Sequence, residues 1–230
     1  MKLFLCGGGS GKQITKAMFK FKGLLDKQKP ILYVPLAMNE NRYDGCANWF
    51  ESEIKSIKLD KFEIVRSSLE LSEKDFNNYS AIFIGGGNTY KLLNELKQNN
   101  NVDKIKTYLQ NGGIVFGGSA GAIIFGKNID ACLLDDGNKI GLKDTEGFNY
   151  LNDISLLCHL KKKNYKKNIN YLKEYTVKNK LIYLPEDDVL YIHNDKISLI
   201  GDSKYIFFSN GNGIVRTSSN LKKDIKGKKD

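Results

Sequence analysis

The apolar run Ile114-Val115-Phe116 passes without a spacer into Gly117-Gly118-Ser119-Ala120-Gly121-Ala122. A strand that ends on glycines in this way must reverse sharply, and the small residues beyond the serine read as the start of a helix. The string has the spacing G-x-S-x-G, in which a serine sits in a strained backbone conformation at the apex of a strand-to-helix turn. Glycines two before and two after it let the chain fold back without a Cβ collision, and the small Ala120 leaves the hydroxyl open to approach. One short segment thus predicts a sheet whose strands are followed by helices, and it points to hydrolysis with Ser119 as nucleophile.

The rest of the first half repeats the same grammar. Short β-rich runs at Lys2-Cys6, Ile31-Leu36, Phe62-Val65 and Ala81-Ile84 precede Ile114-Phe116, and helical stretches lie between them. Cys46 to Ile57 places Trp49, Phe50, Ile54 and Ile57 on one face, and Asn88-Thr89 can cap a helix carrying Tyr90, Leu92, Leu93 and Leu96. Alternation of this kind predicts an α/β fold with a parallel sheet covered on both faces. After Leu181 the pattern changes to short strands at Leu181-Leu184, Val189-His193, Lys196-Ile200, Tyr205-Ser209 and Ile214-Arg216. Their turns, Asn194-Asp195 and Asn210-Gly211-Asn212-Gly213, predict an antiparallel C-terminal extension. A chain of 230 residues with 41% apolar content can fill a single core. We expect one domain over 1–217 and a basic, frayed tail over 218–230.

Composition narrows the function classes. The net charge of +10 could signal a nucleic-acid surface, but Arg42, Arg66 and Arg216 are the only arginines among 36 basic residues. Arginine is the residue that makes bidentate phosphate and guanine contacts, so generic lysine richness is the simpler reading and no nucleic-acid partner is expected. Lys161-Lys162-Lys163 with Lys166-Lys167 follows His159 and could favour acidic substrates, although a solvated helix face explains it as well. No stretch of about 18 apolar residues is present, and the N-terminal run breaks into glycines too early for a signal peptide, so a cytoplasmic protein without a membrane partner is expected. Cys6, Cys46, Cys132 and Cys158 form no C-x-x-C pair and read as small buried hydrophobes.

Two further glycine clusters follow strands. Gly7-Gly8-Gly9-Ser10-Gly11-Lys12 resembles a phosphate loop, but its glycine spacing is one residue short and Gln13 stands where Ser or Thr is needed, so it reads as a strand-to-helix connection. Gly85-Gly86-Gly87-Asn88-Thr89 sits where a helix start would point N–H groups outward at the carboxyl edge of the sheet. It could supply one oxyanion donor, with the N–H of Ala120 as the other.

A serine nucleophile needs a base, and the chain has two histidines. His159 closes the apolar run Ile154 to Cys158 and is the candidate base; His193 lies beside a hairpin turn and reads as a surface residue. The carboxylate that would orient the imidazole is open between Glu186, in Leu184-Pro185-Glu186-Asp187-Asp188, and Asp135 or Asp136.

Taken in order, Ile84-Gly85-Gly86-Gly87-Asn88-Thr89, Gly118-Ser119-Ala120-Gly121-Ala122, Cys158-His159 and Leu184-Pro185-Glu186-Asp187 resemble the peptidase E and cyanophycinase family of serine peptidases. The resemblance covers nearly the whole chain. It implies the class I glutamine amidotransferase-like fold, a three-layer α/β/α sandwich with a mainly parallel sheet. It also implies Ser119 as nucleophile, His159 as general base, and an oxyanion and substrate-binding region at Gly86, Gly87, Asn88 and Ala120, with the N–H groups of Gly87 and Ala120 as donors. Peptidase E places its acid soon after the serine, where Leu134-Asp135 stands here. Cyanophycinases use a glutamate well after the histidine, which Glu186 matches and which we prefer. The implied substrate is a small peptide, a dipeptide with N-terminal aspartate or a β-aspartyl peptide, cleaved without metal or cofactor. A catalytically inactive binding relative is the alternative, and a homodimer is left open.

Overall fold

The structure is a computed structural model that describes residues 1–160, 165–194, 196–201 and 204–226. The run Lys161-Lys162-Lys163, Asp195 of the second-half turn, and tail residues 227–230 lie outside the described residues. Eleven strands form two sheets among the described residues. The first holds seven strands, numbered along the chain and ordered β3-β2-β4-β5-β1-β8-β9. They are β1 (Lys2–Cys6), β2 (Ile31–Val34), β3 (Phe62–Ile64), β4 (Ala81–Ile84), β5 (Ile114–Gly118), β8 (Val189–His193) and β9 (Lys196–Ile200). β3, β2, β4, β5 and β1 are parallel, while β8 and β9 close the edge antiparallel.

The side-chain alternation of a strand explains the two covered faces. Leu3 and Leu5 of β1, Leu32 and Val34 of β2, Ile82 and Ile84 of β4, and Val115 of β5 all enter one buried cluster. Phe4, Ile31, Tyr33, Ala81, Phe83, Ile114 and Phe116 from the same strands enter another. The first face is packed by α4 (Thr89–Lys97), α5 (Asn101–Gln110) and the short α6 (Ala120–Ile123), through Leu92, Leu96, Ile105, Leu109 and Ile123. α3 (Ser68–Glu73) adds Leu71 to it. The second face is packed by α1 (Thr15–Lys22) and α2 (Tyr43–Ser56), through Met18, Phe21, Phe50 and Ile54. Aromatic rings knit that face: Phe83 stacks on Phe116 at 4.8 Å, and Tyr33 on Phe50 at 4.3 Å. The three-layer α/β/α arrangement expected from the resemblance is therefore present.

The C-terminal part divides differently from the expectation. β8 and β9 extend the central sheet, but β7 (Lys180–Tyr183), β10 (Lys204–Ser209) and β11 (Asn212–Thr217) join β6 (Ile154–Leu157) in a second sheet of order β11-β10-β7-β6. Within it β6 and β7 are parallel, bridged by α7 (Tyr165–Tyr175), whose Leu172 packs with Leu157, Leu181 and Phe208. Residues 218–226, expected as the start of a frayed tail, instead form a short turn and α8 (Leu221–Lys226), docked on the main core. Leu221 and Ile225, four residues apart on one helix face, are buried, and Asp224 accepts from the Tyr205 hydroxyl at 2.7 Å. The lysines between them face outward, which is why composition alone read as a tail. No described helix is long and apolar enough to cross a membrane.

Candidate active site

β5 ends at Gly118, α6 starts at Ala120, and Ser119 stands alone between them with φ 53° and ψ −114°. A side-chain-bearing residue adopts that combination only at a cost of about 1–3 kcal/mol, which the surrounding turn must impose. The glycines impose it. A Cβ on Gly117 would lie 2.1 Å from the Gly121 carbonyl oxygen, and one on Gly121 would lie 2.2 Å from the Ile84 carbonyl oxygen. The helix start is thus pressed against both β5 and β4, and the Ser119 hydroxyl is pushed up at the carboxyl edge of the sheet.

The second sheet supplies the partners. Because β6 and β7 are parallel neighbours with Leu157 opposite Tyr183, the residues just beyond them emerge side by side at the same edge. Those residues are His159 and Glu186. The Ser119 Oγ is 2.7 Å from His159 Nε2, and His159 Nδ1 is 3.0 Å from Glu186 Oε1. These spacings lie within the hydrogen-bond reach required of a nucleophile, its base and the group that orients the base.

The loop Gly7-Gly8-Gly9, which the sequence marks only as a connection, holds this arrangement together. Gly7 donates its N–H to the Asp188 carbonyl at 3.0 Å, and Gly9 donates to the Glu186 carbonyl at 2.7 Å. Gly8 has φ +120° and faces the imidazole, so that a Cβ there would lie 2.5 Å from His159 Cε1. Gly8→Ala is therefore expected to displace His159 and lower kcat/KM about 10²-fold, the cost of a misplacement near 1 Å, with Ser119 untouched. Steady-state kinetics on the variant, with circular dichroism to verify the fold, checks this.

The glycine loop after β4 lies against the nucleophile. A Cβ on Gly86 would come 3.1 Å from Ser119 Cβ, and Gly87 has φ +138°, where a Cβ would lie 2.6 Å from the Ala37 carbonyl oxygen. Among the described residues the N–H groups of Gly87 and Ala120 meet no hydrogen-bond acceptor. Asn88, also singled out from the sequence, is occupied structurally. Its backbone N–H donates to the Ala37 carbonyl at 2.9 Å, its Oδ1 accepts from the Lys91 N–H at 2.9 Å as the cap of α4, and its Nδ2 donates to the Gly137 carbonyl at 3.0 Å.

The other carboxylates have separate places. Asp136 Oδ2 accepts from the N–H and hydroxyl of Thr89, at 2.8 and 2.6 Å. Asp135 lines a small cavity of about 300 Å³ together with Ser119, His159 and Asp136, and Glu186 is not among the residues lining it. His193 ends β8 opposite Lys2, at the far edge of the sheet from Ser119. Beneath the elbow, Cys6 and Cys158 are buried, and their Sγ atoms lie 3.7 Å from the Gly9 carbonyl and 3.8 Å from the Ser119 carbonyl. Burial pushes the Cys6 thiol up to about 11 and the Cys158 thiol well above the usual range, so both are packing groups at neutral pH, as their scattered placement suggests. Cys132 is buried as well and Cys46 half-buried.

The family model for peptidase family S51 matches residues 3–200. The chain belongs to this family. Among its relatives, peptidase E of Shewanella denitrificans is 26% identical over 210 residues, covering 86% of each chain. Peptidase E of a Nostoc species is 26% identical over 195 residues, covering 80% of this chain and 77% of the relative. Two solved structures share the fold at 22% identity. A peptidase from an acI-B1 actinobacterium aligns with a TM-score of 0.70 over 94% of both chains, and a candidate peptidase E protein from Listeria monocytogenes with 0.68 over 88% of this chain and 98% of that one. The peptidase S51 match runs from Leu3 within β1 to the end of β9 and includes the elbow, His159 and Glu186. A peptidase acting on peptide substrates is the activity that this membership supports.

Proposed function

We propose that this member of peptidase family S51 is a serine peptidase of small peptides, working through an acyl-enzyme on Ser119. The continuous chain Ser119 Oγ, His159 Nε2, His159 Nδ1, Glu186 Oε1 carries the reading. His159 takes the proton of Ser119 as its oxygen attacks the peptide carbonyl, and the carbonyl oxygen gains negative charge. The N–H groups of Gly87 and Ala120 receive that charge, Gly87 from the loop after β4 and Ala120 from the first turn of α6. His159 then gives the proton to the departing amine, and the ester bond between Ser119 and the acyl group forms as the peptide bond breaks. Water deprotonated by His159 releases the acyl group and restores the serine. Glu186 holds the imidazole in the tautomer and orientation that this shuttle needs.

The substrate class we assign is a dipeptide with N-terminal aspartate, as the family resemblance implies. Arg42, the one cation among the described residues lining the large cavity at Ser119, can offer it a counter-charge. Hydrolysis of Asp-Leu, β-Asp-Arg, Glu-Leu and Ala-Leu, followed by amino-acid release, tests the assignment. Cleavage confined to Asp-Leu is the expected result. Preference for β-Asp-Arg would reassign the protein to the cyanophycinase type, and failure to cleave any peptide would favour an inactive binding relative.

A further inference from the structure

The cavity that opens at Ser119 is large and mostly hydrocarbon. Its volume is about 630 Å³, and besides the glycine loops it is walled by Met18, Tyr33, Met38, Trp49, Phe83 and Phe116. One face of α2 forms a wall of it, since Gly45, Cys46, Trp49 and Glu53 follow one another at helical spacing and all line it, with Arg42 just before the helix. Trp49, which shares a helix face with Phe50 and Ile54, is 41% exposed, with its ring 6.2 Å from Tyr33 and 6.4 Å from Phe83. Glu53 is already engaged, its Oε2 accepting from the Gly11 N–H at 2.8 Å. A Cβ on Gly45 would meet nothing within 4 Å, so the missing side chain there widens the cavity without serving any packing contact.

Such a wall rewards hydrocarbon and offers little to a polar side chain. A carboxylate in it would lose its water and find only the Arg42 guanidinium and the Asn41 amide, whereas an aromatic or branched side chain would gain contact on several sides. We infer that this cavity is the subsite for a bulky apolar or aromatic side chain on a residue flanking the scissile bond, with Trp49 as its aromatic wall and Gly45 as the residue that sets its width. The inference rests on the peptidase reading above for the chemistry at Ser119. It adds a second specificity element to an N-terminal aspartate held near Arg42: the neighbouring residue should be large and apolar.

The tryptophan provides a direct readout, because Trp49 is the only one in the chain. The probes are Asp-Phe, Phe-Ala, Asp-Ala and Ala-Ala, titrated against Ser119→Ala protein while Trp49 fluorescence is followed, so binding is seen whether or not the wild type hydrolyses peptides. One of the phenylalanine peptides is expected to saturate the signal at a concentration at least about tenfold below its alanine counterpart, the range in which hydrophobic pockets discriminate size. Gly45→Leu, introduced into the same protein, is expected to bring the two concentrations together by filling the cavity. Its fold is protected by the open space around the new Cβ and by the better helix propensity of leucine. Equal affinities for all four peptides, or a Phe preference that survives Gly45→Leu, would overturn the inference. Tight Asp-Phe binding with no hydrolysis by wild type would leave the subsite standing and remove the peptidase reading.

Discussion

Ser119→Gly is expected to abolish hydrolysis and to raise the melting temperature above that of Ser119→Ala. Both substitutions remove the hydroxyl of the proposed nucleophile, and loss of a triad serine lowers kcat by about 10⁶-fold, leaving only what oxyanion donors and binding provide. They differ in backbone freedom. At φ 53° and ψ −114° alanine keeps the strain of the elbow, worth about 1–3 kcal/mol, whereas glycine adopts the conformation freely. Glycine also loosens the unfolded chain, which costs about 0.4–1 kcal/mol of stability. The relief exceeds that cost over most of its range, so a net gain of about 1–2 kcal/mol over alanine is expected, or about 2–8 °C in a chain of this size. Both variants lose the same bond to His159, so the comparison isolates the backbone. Scanning calorimetry on the pair decides it. A glycine variant no more stable than alanine would mean that the elbow is relaxed, and that the serine is presented by packing alone.

The elbow was legible in the sequence because its geometry is local. Gly117 and Gly121 are required by atoms a few residues away, on β5, β4 and the first turn of α6, so the requirement is written next to the serine it serves. The covered parallel sheet was legible for a similar reason: each strand carries apolar residues on both faces, and the helices between them show their own period. What escaped depends on distant chain. Gly8 is a glycine because of His159, and Gly7 and Gly9 because of Pro185 and Glu186, partners more than 140 residues away that no local pattern announces. The split of the C-terminal strands into two sheets has the same origin, since an apolar strand such as Leu181-Ile182 does not state whether it pairs with β6 or with β1. Trp49 fits the stripe of α2 as well as Phe50 does, and only the cavity above it separates a wall from a core residue. His159 is nameable because few residues could serve, and the choice of Glu186 over Asp135 comes from the family resemblance; what no local pattern announces is the parallel pairing of β6 and β7 that brings Glu186 to Nδ1.

That choice has a consequence for Glu186→Gln, which is expected to lower kcat by about 10²–10⁴-fold while leaving stability nearly unchanged. The side chain of Glu186 is 56% exposed and that of His159 28%, so their pairing is screened by water and contributes little to folding. The backbone around Glu186 is fixed independently, by Gly9 donating to its carbonyl and by Gly7 packed on Pro185, so removing the charge should not release the loop. The catalytic loss comes from a different source. In the proposed mechanism His159 becomes a cation when it accepts the proton of Ser119, and the carboxylate at Nδ1 stabilises that cation as it forms. An amide carries no charge, and if its NH₂ turns toward Nδ1 it also fixes the proton on Nε2, where the ring can no longer accept from serine. Free rotation of an exposed glutamine could return its oxygen to Nδ1, which sets the lower end of the range. Kinetics on Glu186→Gln beside Asp135→Asn, with melting temperatures for both, gives the answer. A fully active Glu186→Gln with the loss confined to Asp135→Asn would move the orienting role to Asp135 and the small cavity it lines beside His159.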